Sequence, residues 1–528
     1  MANQGKDRMQ GGKIACFLGR SMVHGKNVVP DTPGWGYSLW VLCNRGNPMS
    51  ELIRPTATRT VEPQASAPQA EESQSPEGSL ETTADLIDWI TSRGITEVEC
   101  LVPDMAGVPR GKILPAHKFI SGLKDRGLRL PESLFIQSVT GDYPEDDVMP
   151  DVDQDMYLRP DPSTVRVVPW YDEPTAQVIN DCYYRDASPV EMAPRHVLRR
   201  VLALYDERGW KPIVAPELEF YLVKVNADPD YPLEPPIGRS GRPEIGRQAY
   251  GIDAVNEFDP LFEDVYDYAE AQRLDVDTLH HEGGAAQMEI NFEHGSALDL
   301  ADQVFLFKRT VHQTALRHNV YATFMAKPLE GQPGSAMHIH QSVWDMESGK
   351  TLFAQDDGTE SDLFRWHIGG LQKYLPQAML LLAPNVNSYR RLVKNFSAPI
   401  NMHWGRDNRT VGLRVPVSEP AHTRVENRLS GADANPYLAM AASLLCGYLG
   451  MVDQLEPTKP ISGSGYTKAH ALPKHLPDAI DRFHGARRLH ELFGPMFCQA
   501  FMAVKGAEWD AYQDVVSSWE REYLLLNV

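Results

Sequence analysis

The stretch APELEFYL, residues 215–222, decides how this chain is read. Its apolar side chains support a β-strand, and in a strand residues i and i+2 share one face, so Glu217 and Glu219 point the same way. Three further stretches repeat the theme: HHEGGAAQME (280–289) carries Glu282 and Glu289, GSAMHIHQS (334–342) aligns His338 with His340, and RVENR (424–428) aligns Arg424, Glu426 and Arg428. A donor set of Glu217, Glu219, Glu282, Glu289, His338 and Glu426 is mostly carboxylate with one imidazole, which suits Mg2+ or Mn2+ better than zinc. Arginines crowd residues 390–428, namely Arg390, Arg391, Arg406, Arg409, Arg414, Arg424 and Arg428, and the guanidinium fork suits phosphate. Metal ligands beside arginines point to nucleotide-dependent phosphoryl transfer. Taken singly, each feature has a plainer explanation: an E-x-E strand is usually a solvated sheet face, and a lone arginine usually a charged surface. The sequence contains neither a Walker loop nor a strand-linked GxGxxG, so metal, arginine and histidine would have to hold the phosphates.

Composition narrows the classes. A chain of 528 residues, 42% hydrophobic, can build two or three domains with ordinary cores. A net charge of −20 without a compensating basic stretch excludes a nucleic-acid backbone as partner. No apolar run approaches the roughly 18 residues of a membrane span, and no stretch has the layout of a secretory signal. The six cysteines are scattered without a CxxC, which fits reduced thiols in a cytoplasmic protein rather than disulfides or zinc.

Residues 1–81 differ from the rest. From Arg54 to Ser79 the chain is rich in Pro, Ala, Ser, Gln and Glu with almost no large apolar residue, so it is expected to be disordered. Met49 opens a natural-looking start, and residues 1–48 are read either as an upstream start-site error or as a real extension. From Thr82 the pattern becomes globular. TTADLIDWITSRG predicts a helix capped by Thr82 or Thr83 and stopped at Gly94. ITEVECLVPDMAGVPRGKILP predicts two strands joined by a turn around Asp104–Gly107, and residues 156–181 are rich in strand signals. A small α+β domain over 82–190 is therefore expected, followed by a larger one over 191–528. The latter opens with a helix at 193–210, with Pro194 in its first turn, and includes helices at 300–319 and 436–455.

The ordered series APELEFYL, HHEGGAAQMEINF, KPLEGQPGSAMHIHQS, NSYRRLV, APINMHWGRDNRTVGLRVP and RVENRLSGADANPYLAMAASL closely resembles the glutamine synthetase family, from about residue 82 to the C-terminus. Within it, ADQVFLFKRTV, YATFMAKP and GADANPYLAMAASLLCGY look more like the bacterial γ-glutamylpolyamine (glutamate–putrescine) ligase branch. The resemblance implies an α+β fold with a small N-terminal β-grasp domain and a large catalytic domain. It also implies homo-oligomers of stacked hexameric rings whose sites are completed by the neighbour's N-terminal domain. ATP, L-glutamate and an amine would be substrates, with about two or three Mg2+ or Mn2+ ions per site. Carried over by position, Glu219, Glu282 and Glu289 match ligands of one cation, and Glu217, His338 and Glu426 those of a second. His340, Ser342, Arg414 and Arg424 match nucleotide contacts, with Asp277 a looser match. Arg409 matches the arginine that meets the transferring phosphate, and Gly334, Arg391 and Arg428 match groups around glutamate.

The chain departs from ammonia-using members at two places. Ser397 stands where they carry a glutamate, and SLFIQSVTG (133–141) offers Phe135 or Ile136 where they carry an aspartate. Without either acid, a primary amine such as putrescine is the expected nucleophile. An ordinary ammonia-using synthetase and a catalytically inactive relative are the alternatives. For the distal ammonium of a diamine, Trp404 is one candidate partner.

Overall fold

The computed structural model describes residues 80–528, apart from 126, 145–147 and 149–152. The expectations of a disordered extension and of a start at Met49 lie outside the described residues. The first helix spans Thr83–Ser92 because Thr82 forms a capping box: its hydroxyl accepts from Asp85 N (3.1 Å) while Asp85 accepts from Thr82 N (2.8 Å). Gly94, at φ +62°, ends it.

β1 (Glu97–Pro103) and β2 (Pro109–Pro115) pair antiparallel, from Glu97 opposite Pro115 to Pro103 opposite Pro109. Asp104 builds the turn between them by accepting from Ala106 N (2.9 Å), Val108 N (2.8 Å) and Arg110 Nε (2.9 Å). β3 (Arg129–Pro131), β4 (Asp155–Pro160), β5 (Arg166–Val167) and β6 (Thr175–Tyr183) complete a six-stranded sheet ordered β2-β1-β6-β4-β3, with β5 also on β6.

The helix Pro194–Asp206 follows, ending earlier than its apolar pattern predicts because Gly209 (φ +68°) turns the chain into the next strand. β7 (Trp210–Lys224) is the spine of a second, nine-stranded sheet. The sheet's other strands are β8 (Val276–His281), β9 (Gln287–Phe292), β10 (Gly295–Ser296), β11 (Val320–Thr323), β12 (Met337–Asp345), β13 (Trp404–Arg406), β14 (Leu413–Val415) and β15 (Val425–Asn427). The order is β13-β14-β15-β12-β7-β9-β8, with β10 and β11 also on β7. The helices Ala297–Arg317, Asp362–Leu382 and Pro436–Val452 supply much of the core. Every residue from Pro436 to Met451 is buried, as expected of a helix that is apolar all round. Gly370 lets it approach the Asp362–Leu382 helix, since a Cβ there would lie 2.4 Å from Gly450 Cα. No helix among the described residues is long and apolar enough to cross a membrane.

One buried arginine ties the helix Pro194–Asp206 to the small sheet and to the helix Ala297–Arg317. Arg195 donates to Asp302 (2.9 and 2.7 Å), Asp181 (2.7 Å) and Asp161 (2.8 Å), and Tyr437 Oη donates to Asp302 (2.6 Å). Its removal would leave the buried Asp302 with only the Tyr437 hydroxyl, while Asp161 and Asp181 would keep Arg199 at 3.1 and 3.0 Å. Arg195→Met should therefore cost about 3–5 kcal/mol, whereas Arg199→Met, at an arginine 39% exposed, should cost less than about 1 kcal/mol. Urea unfolding midpoints of the two variants check this; equal small losses would contradict it.

Candidate active site

Strand register assembles the acidic cluster. Across β7, Glu217 faces His338 on β12, and Glu219 faces Glu289 on β9. His340 on β12 faces Glu426 on β15, Arg414 on β14 faces the same Glu426, and His280 on β8 faces Glu289. Directly opposed strand residues have Cβ atoms about 5 Å apart, so pairing alone concentrates these groups. All of them but His340 line a cavity of about 1120 Å³ that also receives Arg391, Arg409 and Arg428, with Gly334, Tyr250, Phe396 and Ser397 in its wall.

The charges are unequal. Burial pushes Glu217 up, but His338 Nδ1 (3.2 Å) and His340 Nε2 (2.8 Å) both donate to it and hold its carboxyl well below the usual range. Burial likewise opposes ionisation of Glu426, yet Arg428, which donates to it, and the nearby imidazoles bring it to about 2; Arg414 donates to its other oxygen at 2.6 Å. Glu219 has no such cation in contact. Burial and the nearby Glu282 raise it to about 8, although Ala336 N (3.0 Å) and Gln287 Nε2 (3.1 Å) donate to it. Burial and its four acidic neighbours raise Glu289 too. Burial and Arg428 keep His338 neutral, the form a metal ligand needs.

Three groupings bring donor atoms within 4.8 Å of one another: Glu217, His340 and Glu426; Glu217, Glu289 and His338; His280, Glu282 and Glu289. Glu289, forced towards protonation, belongs to two of these groupings, and Glu219, opposite it in the β7–β9 register, to none. A cluster so rich in carboxylates fits divalent hard cations, whose charge would relieve the repulsion.

Residues 191–524 match the glutamine synthetase catalytic domain. The chain is 34% identical over 443 residues to the gamma-glutamylputrescine synthetase PuuA of Escherichia coli (strain K12), covering 81% of this chain and 92% of the relative. It is 32% identical over 430 residues to a glutamine synthetase of Pyrococcus horikoshii, covering 80% and 91% respectively. The structure of apo GmaS without ligand superposes with a TM-score of 0.71 at 27% identity, over 84% of this chain and all of that one (100%). The chain belongs to the glutamine synthetase family. It is accordingly an ATP-dependent carbon–nitrogen ligase, with that family's catalytic fold of mixed helix and sheet.

In this glutamine synthetase relative the six expected ligand residues surround one cavity; two of the tight groupings each draw their carboxylates from a single expected set, and Glu217, Glu289 and His338 join the two sets. His340, Ser342 and Arg424 line a second cavity of about 120 Å³ with Trp344 and His422. His340 links the two: its Nε2 reaches Glu217 and its Nδ1 accepts from Arg424 Nε (3.2 Å). Arg409 is exposed in the first cavity. Arg391 is buried and pushed down to about 10 by that burial, donating to Leu429 O (2.9 Å) and Arg428 O (2.8 Å). Gly334 must lack a side chain, since a Cβ would meet Ala326 O at 2.5 Å and Arg391 Cγ at 2.7 Å. Asp277 is exposed on β8 and lines neither cavity. Trp404 is buried, with Nε1 donating to Thr458 O (2.6 Å), so it does not face a substrate in the cavity. Phe135 and Ile136 are buried core residues.

Sequence reading missed His280, although HHE already places His280 and Glu282 on one strand face. Tyr250, stacked on His280 at 5.2 Å, comes from a loop without a recognisable pattern. Nor did spacing reveal the backbone at Ser397: Asn395, Phe396 and Ser397 are successively left-handed, at φ +91°, +53° and +55°, which costs about 1–2 kcal/mol per residue.

Raised carboxyls have a measurable consequence. Between the unfolded carboxyl pKa of 4.5 and the folded value near 8, Glu219 binds a proton in the folded chain that the unfolded chain releases. In chelator, thermal stability should therefore fall as pH rises from about 5 to about 8. Adding Mn2+ at pH 7 should reverse the loss and release about one or two protons per chain. Calorimetric titration in buffers of different ionisation enthalpy reads that release; none would contradict the assignment of Glu219 and Glu289.

Proposed function

We propose that the enzyme joins the γ-carboxylate of L-glutamate to a primary amine, putrescine or a related polyamine, through γ-glutamyl phosphate, releasing ADP and phosphate. The observation that carries this reading is Ser397: the loop that lines the cavity presents a hydroxyl where ammonia-using members carry a carboxylate. Likeness to a gamma-glutamylputrescine synthetase supports it.

Glu219, Glu282 and Glu289 would hold one Mg2+ or Mn2+, and Glu217, His338 and Glu426 a second, with His280 and His340 as neighbouring donors. Bound there, the cations would supply positive charge where phosphate oxygens gather. ATP lies with its base towards His340, Ser342, Trp344 and Arg424, and its phosphates run past Arg414. Arg428 and the Gly334 backbone orient glutamate, and Arg391 braces Arg428 through its carbonyl. A glutamate carboxylate oxygen attacks the γ-phosphorus and ADP leaves, while Arg409, free to swing in the cavity, meets the charge that develops. The amine nitrogen then bonds to the acyl carbon, the carbon–oxygen bond to phosphate breaks, and the amine proton passes to phosphate or solvent. Ser397 cannot take that proton as a carboxylate would. At pH 7 an alkyl ammonium of pKa about 10.4 presents only about one free amine in a few thousand, so the rate should climb with alkaline pH.

On the same reading, residues 82–190 form a β-grasp domain and residues 191–528 the catalytic domain. Copies assemble into stacked hexameric rings in the cytoplasm, and the neighbour's N-terminal domain supplies the acid that meets the distal ammonium. The ammonia-using alternative is supported by likeness to glutamine synthetases. An amine panel separates the two: γ-glutamyl amide formation with putrescine or another primary amine should exceed glutamine formation from ammonium by at least roughly tenfold in kcat/KM. Ser397→Glu should move the ratio towards ammonium. Glutamine as the sole product would reverse the conclusion.

A further inference from the structure

One side chain outside the cavity reaches the carbonyls at both ends of the left-handed run Asn395–Ser397. Tyr466, in the short 3-10 turn Gly465–Thr467, directs its hydroxyl at Ala398 O (3.0 Å), with Asn395 O at 3.4 Å. Around it the segment is fastened to its neighbours: Ala471 N donates to Ile400 O (2.9 Å), Gly465 N to Thr410 Oγ1 (2.7 Å) and His470 Nε2 to Leu392 O (3.3 Å). On the cavity side Arg428 Nη2 makes a long contact to Ser397 O (3.4 Å), and Lys327 Nζ lies over the Phe396 ring at 5.0 Å. Phe396, Ser397 and Ala398 are cavity wall, so whatever fixes these carbonyls fixes the wall.

We propose that Tyr466 is a positioning residue that keeps this wall closed while the acyl phosphate exists. The inference rests on the ligase reading above. A backbone run in an unfavourable region persists only while neighbours over-determine it. With the phenol hydroxyl gone, the loop relaxes and water enters. Water oxygen then bonds to the acyl carbon, the carbon–oxygen bond to phosphate breaks, and glutamate and phosphate return with no amide formed, the water's protons passing to product and solvent. ATP is consumed without ligation.

Tyr466→Phe keeps the ring and removes only the hydroxyl. In the full-length enzyme with ATP, glutamate and putrescine, phosphate released per amide formed should rise from about one to about three or more. Tryptic cleavage after the exposed Lys394 should become several-fold faster, at roughly a factor of three or more. A merely structural role would lower both products together and leave their ratio at one. A ratio unchanged from wild type overturns the proposal, whatever the cleavage rate. If wild type forms no amide from any amine or ammonium, the ligase reading fails, and an unchanged cleavage rate at Lys394 then overturns the clamp as well.

Discussion

Five carboxylates converge where the strands of the large sheet meet, and their mutual repulsion is the constraint from which the rest follows. Two like charges about 4 Å apart repel by roughly 4 kcal/mol in the effective dielectric of a protein. The chain meets that repulsion unevenly. Glu217 is answered by His338 and His340, and Glu426 by Arg414 and Arg428, while Glu219 and Glu289 are left with raised affinity for protons. This imbalance is what a cation-binding site looks like before its charge is balanced. A fold selected for stability alone would not retain it.

The surroundings make such a cluster tolerable. β7 carries two of the acids and is paired along its length, so neither Glu217 nor Glu219 can escape by strand movement. The apolar helix Pro436–Val452 is buried, and its cap residue Asn435 also donates to Asp104 O (2.8 Å) in the β1–β2 turn. Arg195 adds a buried ionic joint between the small sheet and the helix Ala297–Arg317. Rigidity is thus concentrated behind the cavity. The wall at Asn395–Ser397, by contrast, depends on a few polar contacts to backbone carbonyls.

Much of this was legible in the sequence for definite reasons. The i, i+2 rule gave the common face of Glu217 with Glu219 and of His338 with His340, and capping chemistry gave the helix at Thr82. What escaped depended on tertiary context. The helix Asp362–Leu382 contains Pro376 and the pair Gly369–Gly370, which propensity counts against a helix, yet close packing on Gly450 uses Gly370. Trp404 reads as a candidate partner for a distal ammonium, but its indole N–H is fixed to Thr458 O inside the fold. His280 enters the cluster through β8–β9 register, and Tyr250 through the loop that stacks on it.

The central claim is that this cavity drives phosphate transfer to a carboxylate, and oxygen labelling tests it most directly. Glutamate carrying oxygen-18 in its γ-carboxylate would be incubated with the enzyme, ATP, Mn2+ and the best amine, and the released phosphate analysed by mass. One labelled oxygen in the phosphate is expected for each amide formed, because the oxygen that attacks the γ-phosphorus leaves with it. Amide formation accompanied by unlabelled phosphate would contradict it.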